Sequence, residues 1–413
     1  MIYNKRTLNQ VDLDNKTVIV RLDLNVPMDG QEITDVSRIT TSLPTLKYLI
    51  EKNCKIICLS HLGRIKSLDD KLSNKKSLLP VAKKLQEYLD NVATVKFLNQ
   101  NIGDIVVSAV QNLKHKEILL LENTRYNDVN DNGELVKLES KNNPELGKFW
   151  ASLADVFVND AFGTAHRAHA SNVGIASNIA TNCIGFLVQS ELEASQKIIN
   201  VPNRPFVVIL GGAKVSDKLA VIKALLDKAD KILIGGGMAN TFFKAKGLDV
   251  GSSSYEEDLL PIANEILSSQ YANKIVLPLD QLGAQVFENV DPIWRESMEK
   301  PWVNSSCMSL DVGPKTIELF SNYLKDAKTI FWNGPLGVFE FDKFANGTNA
   351  IAKIVADLTS KGTYSVIGGG DSAAAINKLG LSNNVSFIST GGGASLTLLE
   401  GSPLPGIDCI QDQ

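Results

Sequence analysis

Arginine is scarce in this sequence and unevenly placed. Of the 42 Lys and Arg residues only eight are arginine, and six of those (Arg6, Arg21, Arg38, Arg64, Arg125 and Arg167) precede residue 170. A chain that uses lysine for ordinary surface charge places arginine where its planar fork matters. The surrounding strings place them at recurring positions: Asp23 and Asn25 close an apolar run that contains Arg21, SHLGR carries His61 and Arg64, ENTR carries Arg125, and AHRAHAS carries His166, Arg167 and His169. Several forks and two or three imidazoles on one rim can bind a small molecule bearing both phosphate and carboxylate, and Asp23 and Asn25 could hold its hydroxyl. Taken singly, Arg21 reads as structural and Arg64 or Arg125 as surface ion pairs. The i, i+3 pair His166 and His169 has no Cys or Glu partner at helical spacing, which argues against a metal there.

A second kind of chemistry lies in the other half of the chain. Phe206 to Leu210 is an apolar run that meets GGAKVSDK, and the pattern predicts a buried strand turning into a helix. The helix start exposes unpaired N–H groups, so Lys214 and Lys218 beside it suit an anion; the alternative is a solvated pair of lysines next to an ordinary cap. Further glycine clusters follow apolar runs at LIGGGMAN, FWNGPLGVFE, VIGGGDSAA and ISTGGGAS. Glycine lets a backbone approach a flat base, a ribose or a phosphate, so a rim of such turns suits a nucleotide. Asp371 is a helix cap, a magnesium ligand, or both. Glu340 could accept from ribose hydroxyls, or be a solvated acid. There is no GxxxxGK[ST], no HRD or DFG string, and GxGxxG is only grazed by GGGDSA from Gly368.

The elements that must position these residues alternate. Strand patterns at Thr17 to Val26, Lys55 to Ser60, Val95 to Leu98, Glu117 to Glu122 and Asp155 to Asn159 interleave with helical patterns at Ser37 to Lys52, Leu78 to Leu89, Asp104 to Leu113 and Pro144 to Leu153. This predicts parallel sheets covered on both faces by helices, with ligands beyond the carboxyl ends of the strands. The polar stretch Asn127 to Asn143 reads as an exposed loop without chemistry. Glu191 to Ile199 is helical, and VPNRP at Val201 to Pro205 breaks it, which marks a hinge. The domains expected are 1–184, a hinge helix and linker at 185–204, and 205–401, followed by a short tail at 402–413.

Length and composition set the frame: 413 residues, 44% hydrophobic, 21% charged and a net charge of −4. Two domains are expected, and nothing in the charge calls for nucleic acid or an acidic membrane. No apolar run approaches the ~18 residues of a membrane span, and the polar start is unlike a signal peptide, so a cytoplasmic protein is expected. The five scattered cysteines show no disulfide framework.

Together RLDLNVP, SHLGR, ENTR, AHRAHAS, GGAKVSDK, GPKT, FWNGPLGVFE, GGGDS and STGGGAS resemble the motifs of phosphoglycerate kinase, in that family's order along the whole chain. The resemblance implies two doubly wound (Rossmann-like) α/β lobes joined by a hinge helix, in a monomer whose C-terminal tail, 402–413, packs back on the first lobe. It implies reversible transfer of the acyl phosphate of 1,3-bisphosphoglycerate to ADP with Mg2+, giving 3-phosphoglycerate and ATP. By motif, Asp23, Leu24, Asn25, Arg38, His61, Leu62, Gly63, Arg64, Arg125 and Arg167 would hold the glycerate and its phosphate. Arg38 and Lys218 would stabilise the moving phosphoryl group, with Lys214, Gly370 and Gly393 nearby. Lys214, Lys218, Asn333, Glu340, Gly369, Gly370, Asp371 and Ser372 would hold the nucleotide, and Asp371 its metal. Ile65, Ser372 and Thr397 stand where that family often has proline, threonine and an acid. A non-catalytic binding protein on the same scaffold is the alternative; its sign would be loss of Lys218, Arg38 or Asp371, and all three are present.

Overall fold

The structure, a computed structural model, describes residues 3–200 and 202–413. It divides into two compact units, one holding the chain up to Glu193 with Pro403–Gln413, the other holding Ala194–Ser402. The boundary falls inside the helix Phe186–Ile199, which begins five residues before the apolar periodicity at Glu191 suggested.

In the first unit, β1 (Thr17–Leu22) is followed by a small hairpin of β2 (Met28–Asp29) and β3 (Glu32–Ile33). Then come β4 (Lys55–Leu59), β5 (Thr94–Leu98), β6 (Glu117–Leu121), β7 (Val156–Asp160) and β8 (Asn182–Ile184). The sheet order is β5-β6-β4-β1-β7-β8, with every pair parallel. The central strands are buried nearly end to end, as a sheet covered on both faces requires. β1 stops at Leu22 rather than Val26, because its neighbours end there: Arg21 pairs with Leu59 and Leu22 with Asp160. Asp23 to Asn25 is thereby released above the sheet. The chain winds outward from β1 through β4 and later returns to β7 on the other side of β1. The ends of β1 and β7 therefore flank a switch point, where such sheets open a crevice.

The second unit repeats the plan. β9 (Phe206–Leu210), β10 (Lys231–Ile234) and β11 (Ile275–Val276) lie on one side, and β15 (Thr329–Asn333), β16 (Tyr364–Gly368) and β17 (Phe387–Ile388) on the other. The order is β11-β10-β9-β15-β16-β17, all parallel, with its switch point between β9 and β15. Between β11 and β15 the chain inserts an antiparallel sheet of β12 (Gln281–Ala284), β13 (Ile293–Arg295) and β14 (Met308–Val312), in the order β13-β12-β14. The sequence pattern had not indicated this sheet, since its strands are short and only partly buried.

The stretch Asn127 to Asn143 is not simply an exposed loop. Asp128 accepts from the Ser140 N–H at 2.9 Å, Val129 is buried, and Glu139 is fully enclosed. The polar composition of the segment concealed this, because its inward acids, Asp128 and Glu139, look like their neighbours.

The tail lies on the first unit. Gly406 N–H donates to Ala165 at 2.9 Å, the Asn159 amide donates to Gly406 at 2.6 Å, and Lys5 donates to the Ile410 carbonyl at 2.8 Å. Leu404, Ile407 and Ile410 are buried. The tail thus covers the end of β7, beside the loop that carries His166 to His169. Ile407→Ala should cost about 2–5 kcal/mol, read as a lower denaturant midpoint with an unchanged slope; a midpoint equal to that of the parent would show the tail to be a loose appendage.

Candidate functional site

The switch point of the first unit holds a cavity of about 230 Å³. Asp23 and Asn25 reach it from the end of β1, His61, Gly63 and Arg64 from the end of β4, and Arg125 from the 3-10 turn Thr124–Asp128 after β6. Gly163, His166, Arg167 and His169 come from the loop after β7, and Arg38 from the first turn of the helix Ser37–Glu51. Leu24 and Leu62 are not brought to it by their side chains, which belong to the core. Their backbone groups are engaged nearby: Leu24 N–H donates to Ser60 Oγ at 2.9 Å, and the Leu62 carbonyl accepts from Asn123 at 2.8 Å.

Among the described residues, three buried polar atoms around this cavity lack a protein partner: Asp23 Oδ1, Arg125 Nε and His166 Nδ1. Buried polar groups are normally satisfied, so a cluster of open ones marks where a ligand would supply the bonds. Asp23 uses its other oxygen to pair with Arg38. Arg125 donates to the Gly63 carbonyl at 2.6 Å, and Asn25 accepts from Gly63 N–H at 2.8 Å, so one glycine orients two site residues. Gly63 can serve because its φ is +62°, a left-handed turn that suits glycine. A side chain at Gly163 would collide with the Asp23 carboxylate.

The cavity is cationic through its arginines alone. Burial, and then Arg21 and Arg125, hold His61 well below the usual imidazole range and His169 down at about 3. These rings are neutral at physiological pH, so they can donate or accept a hydrogen bond without adding charge. Burial, and then the Arg21 charge, also lower the pKa of Arg125, a strain that a bound anion would relieve.

The second unit has a cavity of about 320 Å³ beside its own switch point. One wall is backbone from Gly212, Gly236, Gly237 and Pro335; the other is apolar, with Phe287, Met308, Leu310 and Val338; Glu340 and Asp371 edge it. β9 and β15 approach closely here, Gly211 N–H donating to Asn333 at 3.0 Å and Gly212 N–H to Pro335 at 2.9 Å. A Cβ on Gly211 would strike the Pro335 carbonyl, so this contact requires glycine.

Lys218 lies at that junction, just before the helix Leu219–Leu226, and is only 8% exposed. Its Nζ donates to the carbonyls of Gly211 at 2.6 Å and Asn333 at 2.7 Å. Burial lowers its pKa to about 8, against the pull of Asp371 and Asp217. Asn333 Nδ2 is buried without a partner among the described residues, and Ser372 Oγ accepts from Gly334 N–H at 2.6 Å. Gly369, at φ +87°, leads into the helix Gly370–Lys378, where Asp371 is exposed in the first turn. Lys214 is exposed on the loop after β9, and Gly393 opens the helix Gly393–Leu399; neither lines the cavity. Spacing alone missed Gly163, signalled only by its place just after β7, and the apolar wall from the inserted sheet, for which the sequence offers no signal.

The family model for phosphoglycerate kinase matches residues 8–402. Among curated proteins, the phosphoglycerate kinase of Mycoplasmoides gallisepticum is 58% identical over 416 aligned residues, covering 100% of this chain and 99% of the relative. That of Oenococcus oeni is 50% identical, covering 99% of this chain and 100% of the relative. Among solved structures, phosphoglycerate kinase from Coxiella burnetii superposes with a TM-score of 0.83 at 38% identity over 98% of each chain. The enzyme from Pyrococcus horikoshii gives 0.81 at 32% identity, over 99% of this chain and 98% of that one. With strand-end arginines in one unit, strand-end glycines in the other and full-length similarity at these levels, the chain belongs to the phosphoglycerate kinase family and is a glycolytic kinase rather than a non-catalytic binding protein.

Proposed function

We propose that the two cavities divide the substrates of this kinase, 3-phosphoglycerate or 1,3-bisphosphoglycerate in the first unit and ATP or ADP in the second. The observation that carries this is the contrast in what each cavity leaves unsatisfied. The first offers arginine forks and three open polar atoms to a small polyanion with a hydroxyl group. The second offers glycine backbone and an apolar wall, suited to a flat base.

In the direction of ATP use, the attacking group is the carboxylate of 3-phosphoglycerate, which is ionised at neutral pH. No general base is required, and His61 and His169, made weakly basic by burial and the arginines beside them, are ill suited to be one. What the reaction needs is alignment and a place for charge on the transferred phosphoryl group. Asp23 and Asn25 would hold the 2-hydroxyl, while His61, Arg64, Arg125 and Arg167 hold phosphate and carboxylate, with the backbone at Leu24, Leu62 and Gly63 framing them. Arg38 and Lys218 would meet the phosphoryl group as it moves, with Lys214, Gly370 and Gly393 contributing charge and open N–H groups. Asn333, Glu340, Gly369 and Ser372 would position the nucleotide. The helix shared by both units, Phe186–Ile199, is the joint about which the two ligands would be brought together.

Two exposed carboxylates, Glu340 and Asp371, edge the second cavity, and no group of three or more His, Cys, Asp or Glu side chains able to hold a metal occurs among the described residues. That donor set fits Mg2+, which keeps several waters and takes phosphate oxygens with one or two carboxylates. Asp371 would hold the ion, whose charge offsets that of the phosphates. No helix among the described residues is long and apolar enough to cross a membrane, and the protein is read as a monomer acting on small molecules alone.

The test is Mg2+-dependent ADP formation from ATP with and without 3-phosphoglycerate; turnover independent of the acid would contradict the assignment. Lys218→Ala should lower turnover by roughly 10² to 10³, as loss of a preorganised charge does, while the melting temperature is kept. Because burial sets the free Lys218 near 8, kcat/KM for ATP should fall above about pH 8 as the ammonium is lost, by up to about tenfold per pH unit. Lys218→Ala should lack that limb, and a parent profile flat to pH 10 would remove the lysine from the mechanism. Arg167→Ala should raise KM for 3-phosphoglycerate about tenfold, the size of a lost charge-assisted bond, and leave KM for ATP unchanged; equal losses for both would contradict the division of substrates.

A further inference from the structure

Beneath the first cavity lies a chain of buried groups that touches no open space until its last member. Glu139, Ser171 and Arg21 are each 0% exposed, and His61 is 5% exposed. Both Glu139 oxygens accept from Ser171, Oε1 from the hydroxyl at 2.5 Å and Oε2 from the N–H at 3.0 Å. The same hydroxyl oxygen accepts from Arg21 Nε at 2.8 Å. Arg21 Nη1 is spent on the carbonyls of Leu22 and Leu59 and on Ser60 Oγ. Its Nη2 stands 3.0 Å from His61 Nδ1.

Only one assignment of protons satisfies this chain. A guanidinium can donate but not accept, so His61 Nδ1 must be the acceptor and therefore carries no proton. The ring proton is then on Nε2, the nitrogen without a protein partner among the described residues, on a ring that lines the cavity. Arg21 can hold this role only while its own plane is fixed, and Ser171 is what fixes its Nε edge. A buried guanidinium also needs a counter-charge, and Glu139, one hydroxyl away, is placed to supply it. Burial pushes the Glu139 carboxyl up while Arg21 and the two bonds from Ser171 pull it back; with both oxygens accepting, the carboxylate is the form that the geometry serves.

We propose that Glu139 is a positioning residue: through Ser171 it orients Arg21, and through Arg21 it locks His61 as a neutral ring that donates its Nε2–H to an oxygen of the ligand in the first cavity. This rests on the assignment of 3-phosphoglycerate to that cavity. It gives a task to the segment Asn127 to Asn143, whose sequence offered none. Strand β1 and the segments after β4, β6 and β7 are tied together by this chain, so the lock also sets where the loop bearing Arg167 stands relative to His61.

The experiment uses the full-length protein labelled with 15N-histidine, which has four imidazoles to assign, with His61→Gln identifying the resonance of interest. In the unliganded parent, the ring shifts should be those of a pure Nε2–H tautomer. Glu139→Gln keeps the shape and removes the charge, and should give His61 a mixture of tautomers. KM for 3-phosphoglycerate should rise about tenfold, with kcat and KM for ATP within about twofold, because only one substrate meets this ring. Ser171→Ala leaves both charges in place and breaks the bridge, so it reads the same signature should Glu139→Gln fail to fold. A His61 tautomer unchanged in either folded variant overturns the proposal, as does a general loss of turnover with KM for 3-phosphoglycerate unaltered. A locked His61 in a parent protein that binds no 3-phosphoglycerate overturns instead the assignment of the cavity and leaves the relay standing.

Discussion

Concentrating positive charge at the end of a buried sheet is the constraint on which the first unit depends. Arg38, Arg64, Arg125 and Arg167 face one cavity, with Arg21 fully enclosed below it. Like charges this close would drive the loops apart unless something fixed held each fork. The protein meets this mostly with neutral dipoles: Arg125 on the Gly63 carbonyl, and Arg21 on the carbonyls of Leu22 and Leu59. Carbonyl oxygens steady a guanidinium without cancelling it, so the cavity keeps its attraction for an anion. Carboxylates are used sparingly, Asp23 on Arg38 and Glu139 behind Ser171. Both stand where a ligand phosphate would not meet them head-on, since Asp23 leaves only one oxygen open and Glu139 none.

The second unit solves a different problem on nearly the same scaffold. Its strand order, β11-β10-β9-β15-β16-β17, places β9 and β15 at the switch point as the first unit places β1 and β7. Here the ends approach so closely that a side chain is excluded at Gly211, and a buried cation, Lys218, is inserted between them. It rests on two carbonyls, and that resting state has a consequence. A lysine held by neutral acceptors in a dry site loses its proton easily, hence a pKa near 8; a phosphate oxygen in place of a carbonyl would restore the charge. Ligand binding and protonation of Lys218 are therefore coupled.

Much of this was legible in the sequence, for a reason that can be stated. Strands buried on both faces are written as near-continuous apolar runs, so β1, β4, β6, β7, β9, β15 and β16 announce themselves. In a parallel sheet all carboxyl ends lie on one side, and residues just beyond each run, such as Asp23, His61 and Arg167, are thereby gathered without knowledge of the strand order. What the pattern could not supply is whatever depends on distant packing. β12 to β14 are short strands whose partners lie across intervening loops, and the apolar wall they build around Phe287, Met308 and Leu310 has no local signature. Glu139 is the sharper case: its burial is decided by Ser171, 32 positions away, and by Arg21 beyond it. Nothing in a run of Asp, Asn and Lys singles out Glu139 as an acid that turns inward.

On the proposed assignment of substrates, the division of labour between glycine and arginine follows from what each ligand offers. A phosphorylated three-carbon acid has little surface apart from its charges, so specificity has to come from forks and fixed donors whose positions match its oxygens. A nucleotide carries a broad flat base, so close approach and apolar cover do more than charge, and the charge it does bring can be met by one lysine and a metal ion. A reaction between the two requires that neither site fully neutralise the group to be transferred. Open atoms such as Asp23 Oδ1, Arg125 Nε and Asn333 Nδ2 are costly in the empty protein, because each is buried and unpaired. That cost falls away as the ligands bind, which couples occupancy of each cavity to the ordering of the strand ends around it. The stability left out of the empty site is thus held in reserve for the complex, where alignment of carboxylate and phosphate is the whole of the catalytic task.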